Sequence, residues 1–344
     1  MRYKLTTTSL KAWDAMLSAI DTAQKSIYLE TYIFQNDTKK SHDFIGKLKE
    51  KASHGIHVII VADAFGSKEL KNELSHVITK SEIEFIFFSH WLRHIHRKVL
   101  IVDEKTAFIG GVNIGKRFRY WNDLQLELSG RIVKKILRSF AYTYKMAGGK
   151  NIKLLNYRKK KIRTQFKFWL LEHFPIKNIH TLKDHYVEKI TKAREKIQIV
   201  TPYFTPPRWL ISLLDDATRR GVKVEILIPK EVDWRIMNLL NYRYMHNLHL
   251  SGIHFYLFKK MNHSKLLLID NEEGLIGSQN IDLFSFKLNT EIGIFFREKK
   301  LLQEVRQIVE DWKNESIKFE PTKYKMKISD YLILAILKIL HPIL

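Results

Sequence analysis

Two histidine–lysine pairs, His96/Lys98 and His263/Lys265, sit at apolar, strand-like runs that end in Asp103 and Asp270. Side chains two residues apart on a strand point to one face, so each imidazole should share a side with its ammonium. Each aspartate lies seven residues after its histidine, an odd spacing. Asp103 and Asp270 are therefore expected on the opposite face or in the turn, as structural residues. A small-residue turn follows each run: Gly110-Gly-Val-Asn113 and Gly277-Ser-Gln-Asn280. Small residues let backbone N–H groups approach a phosphate, and asparagine adds a side-chain donor. Then comes one acid per copy, Asp123 and Glu291. A carboxylate within reach of an imidazole N–H fixes its tautomer and makes the other nitrogen a better base or nucleophile.

These parts suit a phosphodiester. Lysines and asparagines balance charge on the phosphoryl oxygens, one histidine attacks phosphorus, and the other protonates the leaving alcohol. Two imidazoles on opposite sides of one phosphorus require two copies facing each other. A single His-x-Lys would be surface decoration more often than chemistry; the doubled set with matching followers reverses that balance. His94-Ile-His96 offers two metal-type ligands, but no third and fourth stand at suitable spacing. Glu30 reads either as an acid supporting the site or as a structural one, and Tyr203 and Phe204 as core or pocket wall.

The elements that must position these residues are themselves repeated. Ala23–Phe34 parallels Ala193–Phe204, Gly55–Val61 parallels Gly221–Leu227, and His96–Asp103 parallels His263–Asp270, at offsets of 170, 166 and 167 residues. Each copy reads as a helix (Leu10–Ala23; Thr181–Ala193), a strand (Ser26–Phe34; Lys196–Phe204) and a second helix (His42–Ser53; Trp209–Arg220). Gly55 or Gly221 ends the second helix, and further strands follow (Ile56–Ala62; Val222–Pro229). Strands alternating with helices argue an α/β fold with largely buried sheets. The expected division is a first domain over 1–150, a connecting segment over 151–180, and a second domain over 181–344.

The chain has 344 residues, with 59 Lys+Arg against 36 Asp+Glu, and no cysteine. Disulfides, thiolate metal sites and cysteine nucleophiles are excluded, and the composition fits a reducing compartment. A net charge of +23 points to a polyanionic partner, either nucleic acid or an anionic membrane surface. No apolar run is long enough to span a bilayer, and no signal-peptide core opens the chain. Arg131–Lys177 holds 14 Lys+Arg and one acid, with Phe166, Phe168, Trp169 and Phe174 interspersed. It reads as a basic, aromatic connection between copies, or as a solvated helix face. The apolar tail Tyr331–Leu344 suits either membrane-interface binding or docking on the core.

The two H-x-K-x4-D motifs, His96/Lys98/Asp103 and His263/Lys265/Asp270, resemble the signature of the phospholipase D superfamily over nearly the whole chain. Glu30-Thr-Tyr-Ile-Phe34, Asp63-Ala-Phe-Gly-Ser67, Trp121-Asn-Asp123, Thr201-Pro-Tyr-Phe204 and Asn289-Thr-Glu291 are most similar to the bacterial cardiolipin synthases. The resemblance implies two α/β/α domains about a pseudo-two-fold axis, one active site at their interface, and transfer through a phosphohistidine without metal or cofactor. It makes His96 the nucleophile and His263 the general acid, then base. Lys98, Lys265, Asn113, Asn280 and Ser278 hold the phosphate, Glu291 orients His263, and Asp123 is the candidate for the same service to His96. The expected activity is phosphatidyl transfer from one phosphatidylglycerol to another, at the cytoplasmic face of the membrane and peripherally attached. The rival activities are phospholipase or nuclease hydrolysis at the same site, with nucleic acid a partner only there, and non-catalytic lipid or nucleic-acid binding.

Overall fold

A computed structural model describes residues 2–74, 83–159 and 167–323. Lys160, Lys161, Phe166 and the tail Tyr331–Leu344 lie outside the described residues. The first sheet contains β1 (Tyr3–Thr8), β2 (Ser26–Thr31), β3 (His57–Asp63), β4 (Glu84–Phe88), β5 (Val99–Val102), β6 (Thr106–Gly110) and β7 (Asn122–Ser129). The second contains β8 (Phe168–Phe174), β9 (Ile179–His180), β10 (Lys196–Val200), β11 (Lys223–Pro229), β12 (His254–Phe258), β13 (Leu266–Ile269), β14 (Glu273–Gly277), β15 (Glu291–Phe296) and β16 (Ser316–Lys318).

Both sheets follow one path. The order β7-β6-β5-β2-β3-β4 matches β15-β14-β13-β10-β11-β12. In each, three parallel strands (β2, β3, β4; β10, β11, β12) adjoin three antiparallel ones. The central strands are buried on both faces, which explains their continuous β-branched and aliphatic sequence. One core lies between the sheets, where Ile109, Leu126 and Leu128 pack with Leu268, Ile276 and Ile292. Each half has a second core against its own helices, around Trp13 and Leu48 in the first and Leu214 and Phe255 in the second. This is the expected mixed α/β architecture of two related halves.

The helix Ser9–Asp21 buries Ala12, Trp13, Met16 and Ile20 along one stripe, and Thr8 caps it by accepting from the Lys11 N–H. Trp13 Nε1 donates to the Asn113 carbonyl over 3.0 Å, fixing the small-residue turn of the site to the first helix. Gly55 and Gly221 follow the helices Phe44–Ser53 and Arg208–Arg219 with φ of 81° and 85°, the left-handed conformation that suits glycine at a helix end. Strands expected to reach Phe34 and Phe204 stop at Thr31 and Val200. Beyond them the chain bends over the site turns and makes single bridges, Phe34 to Ile114 and Phe204 to Ile281.

Two expectations need correction. Residues 151–180 are more than a connection, because β8 pairs with β15 and β9 with β8, extending the second sheet. Nor do the described residues of Arg131–Lys177 form an aromatic surface. The helix Arg131–Met146 buries Ile132, Val133, Ile136, Leu137 and Phe140, while Phe168 and Phe174 are buried and Trp169 packs on Phe295. Its cations face out because the apolar positions recur at helical spacing and face in.

Candidate active site

His96 and Lys98 immediately precede β5, and His263 and Lys265 precede β13. The strands begin three residues after each histidine, at Val99 and Leu266, because the histidine backbone pairs with the opposite half. His96 N–H donates to Thr290 O over 3.0 Å, and Thr290 N–H returns to His94 O over 2.8 Å. The mirror set is His263 N–H to Asn122 O at 2.7 Å and Asn122 N–H to Met261 O at 3.0 Å. Each histidine is thus joined to the residue just before the other half's acid.

That crossing overturns the expected acid assignment. Glu291 lies on His96, with its carboxylate oxygens 2.9 and 3.1 Å from Nδ1, and Asp123 Oδ2 lies 2.9 Å from His263 Nδ1. The physical reason is the pseudo-two-fold: β7 and β15 each end at the axis and reach across it. An acid accepting Nδ1–H leaves the Nε2 lone pair of that imidazole available. Lys98 Nζ donates to the His96 carbonyl over 2.6 Å, and Lys265 Nζ donates to the His263 carbonyl. Tyr32 touches both members of the first pair, its ring centred 4.8 Å from that of His96 and 5.2 Å from Lys98 Nζ, so the two do share a side.

The turns behave differently in the two halves. Ser278 donates to Glu291 and accepts from the Ile292 N–H over 3.1 Å. Gly111 occupies the corresponding place beside Asp123, and a Cβ there would lie 2.3 Å from Asp123 Oδ1. Asn113 and Asn280 are both buried, each with an Oδ1 that has no partner. Asp103 and Asp270 lie in the turns that follow β5 and β13. With φ of 53° and 50°, they turn back so that Asp103 accepts from the N–H groups of Gln24, Lys25 and Ser26. Asp270 accepts from those of Arg194, Glu195 and Lys196.

Burial dominates the electrostatics. Burial, then the charges of Lys98, Lys265 and His263, holds His96 well below the usual imidazole range. Burial, then Lys265, brings His263 down to about 4, with Asp123 opposing. Burial lowers Lys98 to about 7 and Lys265 to about 8. It also raises Glu291 to about 7, against the pull of Lys98. Four groups that could be cationic crowd one dry site, so protonation is suppressed until an anion enters.

The buried Arg97 escaped the sequence reading, which leaves the roles of several other residues open. Glu30 lies 3.3 Å from Arg97, both fully buried, and Arg97 also donates to Ser139 over 2.8 Å and stacks over Phe174 at 5.1 Å. This anchors the first His-x-Lys to β2, to the following helix and to β8. The second half has Val200 and Ser264 at the corresponding places. His94 Nδ1 lies 3.2 Å from Asp63 Oδ1, not in a metal cluster, and Asp63 also accepts from the N–H groups of Phe65, Gly66 and Ile95. The second half places Met261 and Pro229 there. Comparing the repeats position by position was the available signal for both. Trp121 flanks His263 at 5.6 Å between centroids, and Tyr203 donates to Asp233 over 2.6 Å. Phe204 is core.

The family described as "Cardiolipin synthase, PLD-like domain" matches residues 16–143 and again 186–312. A probable cardiolipin synthase of Bacillus subtilis, YwiE, is 28% identical over 92% of this chain and 67% of its own length. A cardiolipin synthase of Geobacillus kaustophilus is 27% identical over 97% of this chain and 70% of its own. One from Listeria welshimeri is 28% identical over 85% of this chain, which spans only 65% of that relative. Among solved structures, a phosphatidylserine synthase of Haemophilus influenzae superposes over 98% of this chain and 93% of its own. Its TM-score is 0.77 at 15% identity, a likeness of fold. Both halves being matched, the chain belongs to the phospholipase D-like family of cardiolipin synthase domains.

Proposed function

We propose that this enzyme transfers a phosphatidyl group between two phosphatidylglycerol molecules, forming cardiolipin and releasing glycerol. The observation that carries the reading is the crossed pair of histidine–acid contacts, which ties both imidazoles into one site. In the first step His96 Nε2 attacks phosphorus, the bond to the glycerol oxygen breaks, and His263 Nε2–H gives that oxygen its proton. In the second, His263 takes the proton from a hydroxyl of the second phosphatidylglycerol. That oxygen attacks phosphorus and the bond to His96 breaks. Burial and the lysines lower both imidazoles; the contacting Asp123 opposes this at His263, which supports His263 as the proton carrier and His96 as the nucleophile. Lys98, Lys265, Asn113 and Asn280 meet the charge on the phosphoryl oxygens. Ser278 acts through Glu291.

Anionic phospholipid is then the partner, met from the cytoplasmic side by peripheral attachment. The absence of cysteine and the net charge of +23 support that placement. None of the helices among the described residues is long and apolar enough to cross a membrane. The test is incubation of the purified chain with phosphatidylglycerol vesicles and mass spectrometry of the products. Cardiolipin and glycerol in equal amounts are expected. Phosphatidic acid and glycerol without cardiolipin would replace transfer by hydrolysis.

A further inference from the structure

Large exposed apolar side chains are not scattered evenly. The exposed aromatics among the described residues are Phe65, Trp91, Tyr120, Trp234 and Phe284, with relative exposures from 36% to 83%. Four of them lie in loops or turns around the site, and Phe284 lies in the short helix Leu283–Lys287 that follows the turn of the second half. Phe65 follows β3 and packs at 5.2 Å on His94, which in turn meets Tyr32 beside His96. Trp91 follows β4, three residues before His94. Tyr120 adjoins Trp121 against His263, and Trp234 adjoins Asp233, the partner of Tyr203. Phe284 follows Asp282, whose charge acts on Lys265. The exposed aliphatics lie elsewhere. Ile152 is next to Asn151, which contacts His57 at the opposite end of β3, and Leu250 precedes β12.

Exposed cations stand close by along the chain: Lys116 and Arg117 before Tyr120, Arg235 after Trp234, and Lys259 and Lys260 in the loop that leads to His263. Arg117 packs over the Phe118 ring at 4.5 Å and acts electrostatically on both Tyr32 and Tyr203, one from each half. Of the acids beside them, Asp233 is engaged by Tyr203 and Asp37 accepts from the Lys116 N–H over 2.8 Å. Aromatic rings with apolar bodies and polar edges, interleaved with cations around a concave site, fit the headgroup layer of an anionic bilayer.

We propose that the mouth of the active site is the membrane-docking face, with its aromatic rim inserted among anionic phospholipid headgroups. This rests on the phosphatidyltransfer reading for its purpose, since it delivers a headgroup to His96 and His263 without extracting the lipid. It places the docking surface at the site and not on Arg131–Lys177.

The experiment is co-sedimentation of the full chain with vesicles of phosphatidylglycerol and phosphatidylcholine. Wild type is compared with Trp91→Ala/Trp234→Ala and with the control Ile152→Ala/Leu250→Ala. The rim variant should lose roughly tenfold or more in partitioning, and the control less than about twofold. Equal binding by the two variants would overturn the proposal. Tryptophan quenching by lipids brominated along the acyl chain reads insertion in the wild type without any variant, and its absence would also overturn it. Turnover of monomeric short-chain phosphatidylglycerol is read separately. Turnover without vesicle binding keeps the chemistry and removes the docking face. Vesicle binding through the rim without turnover keeps the docking face and removes the chemistry.

Discussion

The two half-sites share a plan but solve it with different parts. The first histidine is served by a glutamate with a serine hydroxyl behind it, Glu291 and Ser278. The second is served by a shorter aspartate against a bare glycine, Asp123 and Gly111. One methylene more in the acid goes with a side chain in the turn, and one fewer with none. The first half also has a buried anchor, Glu30–Arg97, and a lip dyad, Asp63–His94, where the second has Val200, Ser264, Pro229 and Met261. Duplication thus supplied the geometry, and divergence gave the two imidazoles unequal surroundings. Each acid belongs to the opposite half, so neither half contains a complete histidine–acid pair.

The largest effect expected is from removing either histidine. His96→Ala and His263→Ala should each lower turnover by roughly 10³-fold or more, and the double variant should be little worse, since groups acting as a unit are non-additive. Substantial product from either single variant would break the composite site. Next come the acids. Asp123→Asn and Glu291→Gln should each cost roughly 10²–10⁴-fold by releasing the tautomer of the imidazole across the axis. The crossing makes a sharper demand. Glu291→Gln should add little to His96→Ala, and Asp123→Asn little to His263→Ala. Coupling within each half instead would restore the assignment that the contacts overturn.

The turns should separate by kind of effect. Gly111→Ser forces a Cβ onto Asp123 and should cost about 1–3 kcal/mol in chemical denaturation, the usual cost of overpacking a tight site. Ser278→Gly creates no clash but removes a hydroxyl that favours the charged form of Glu291. Its proton affinity then rises, and the acid limb of the pH–rate profile should move to higher pH. If Ser278→Gly lowered stability and left the profile in place, the serine would be a packing residue only.

Most of this was legible as a repeated pattern of residues. The apolar runs around Val58–Val61 and Val224–Ile228 reveal buried strands because burial on both faces demands continuous hydrophobicity. The His, Lys, Asn and acid positions stood out because they recur in both copies. What did not show was anything created by the axis. Spacing along the chain links Glu291 to His263, 28 residues away, whereas the sheet edges carry it to His96, at a separation of 195. Arg97, lying between His96 and Lys98, has no counterpart in the second copy to draw attention to it. Its burial depends on Ser139 and Phe174, which are distant in sequence. The aromatics of 131–177 misled for the opposite reason. Phe168 and Phe174 sit in a basic stretch but on a strand whose partner, β15, is more than a hundred residues away.

The smallest expected signal tests whether the lysines differ as the half-sites do. Lys98 is lowered to about 7 and Lys265 to about 8, both by burial. Burial therefore favours the neutral form of both lysines in the empty site, and the lower value makes Lys98 the more readily deprotonated of the two. A tetrahedral anion among them favours every charged form, which raises both values, so binding must take up protons. Sulfate is the suitable probe because it does not titrate near neutrality. Calorimetry in buffers of different ionisation enthalpy should give net uptake of a fraction of a proton. Uptake should grow on going from about pH 6.5 to about pH 7.5, because Lys98 is the group being refilled. Lys98→Met should remove most of it at about pH 7.5, and Lys265→Met less. Proton release on sulfate binding would contradict the sign and mean that the lysines are already charged in the empty site. Equal losses from the two variants would make the half-sites electrostatically equivalent despite their different neighbours.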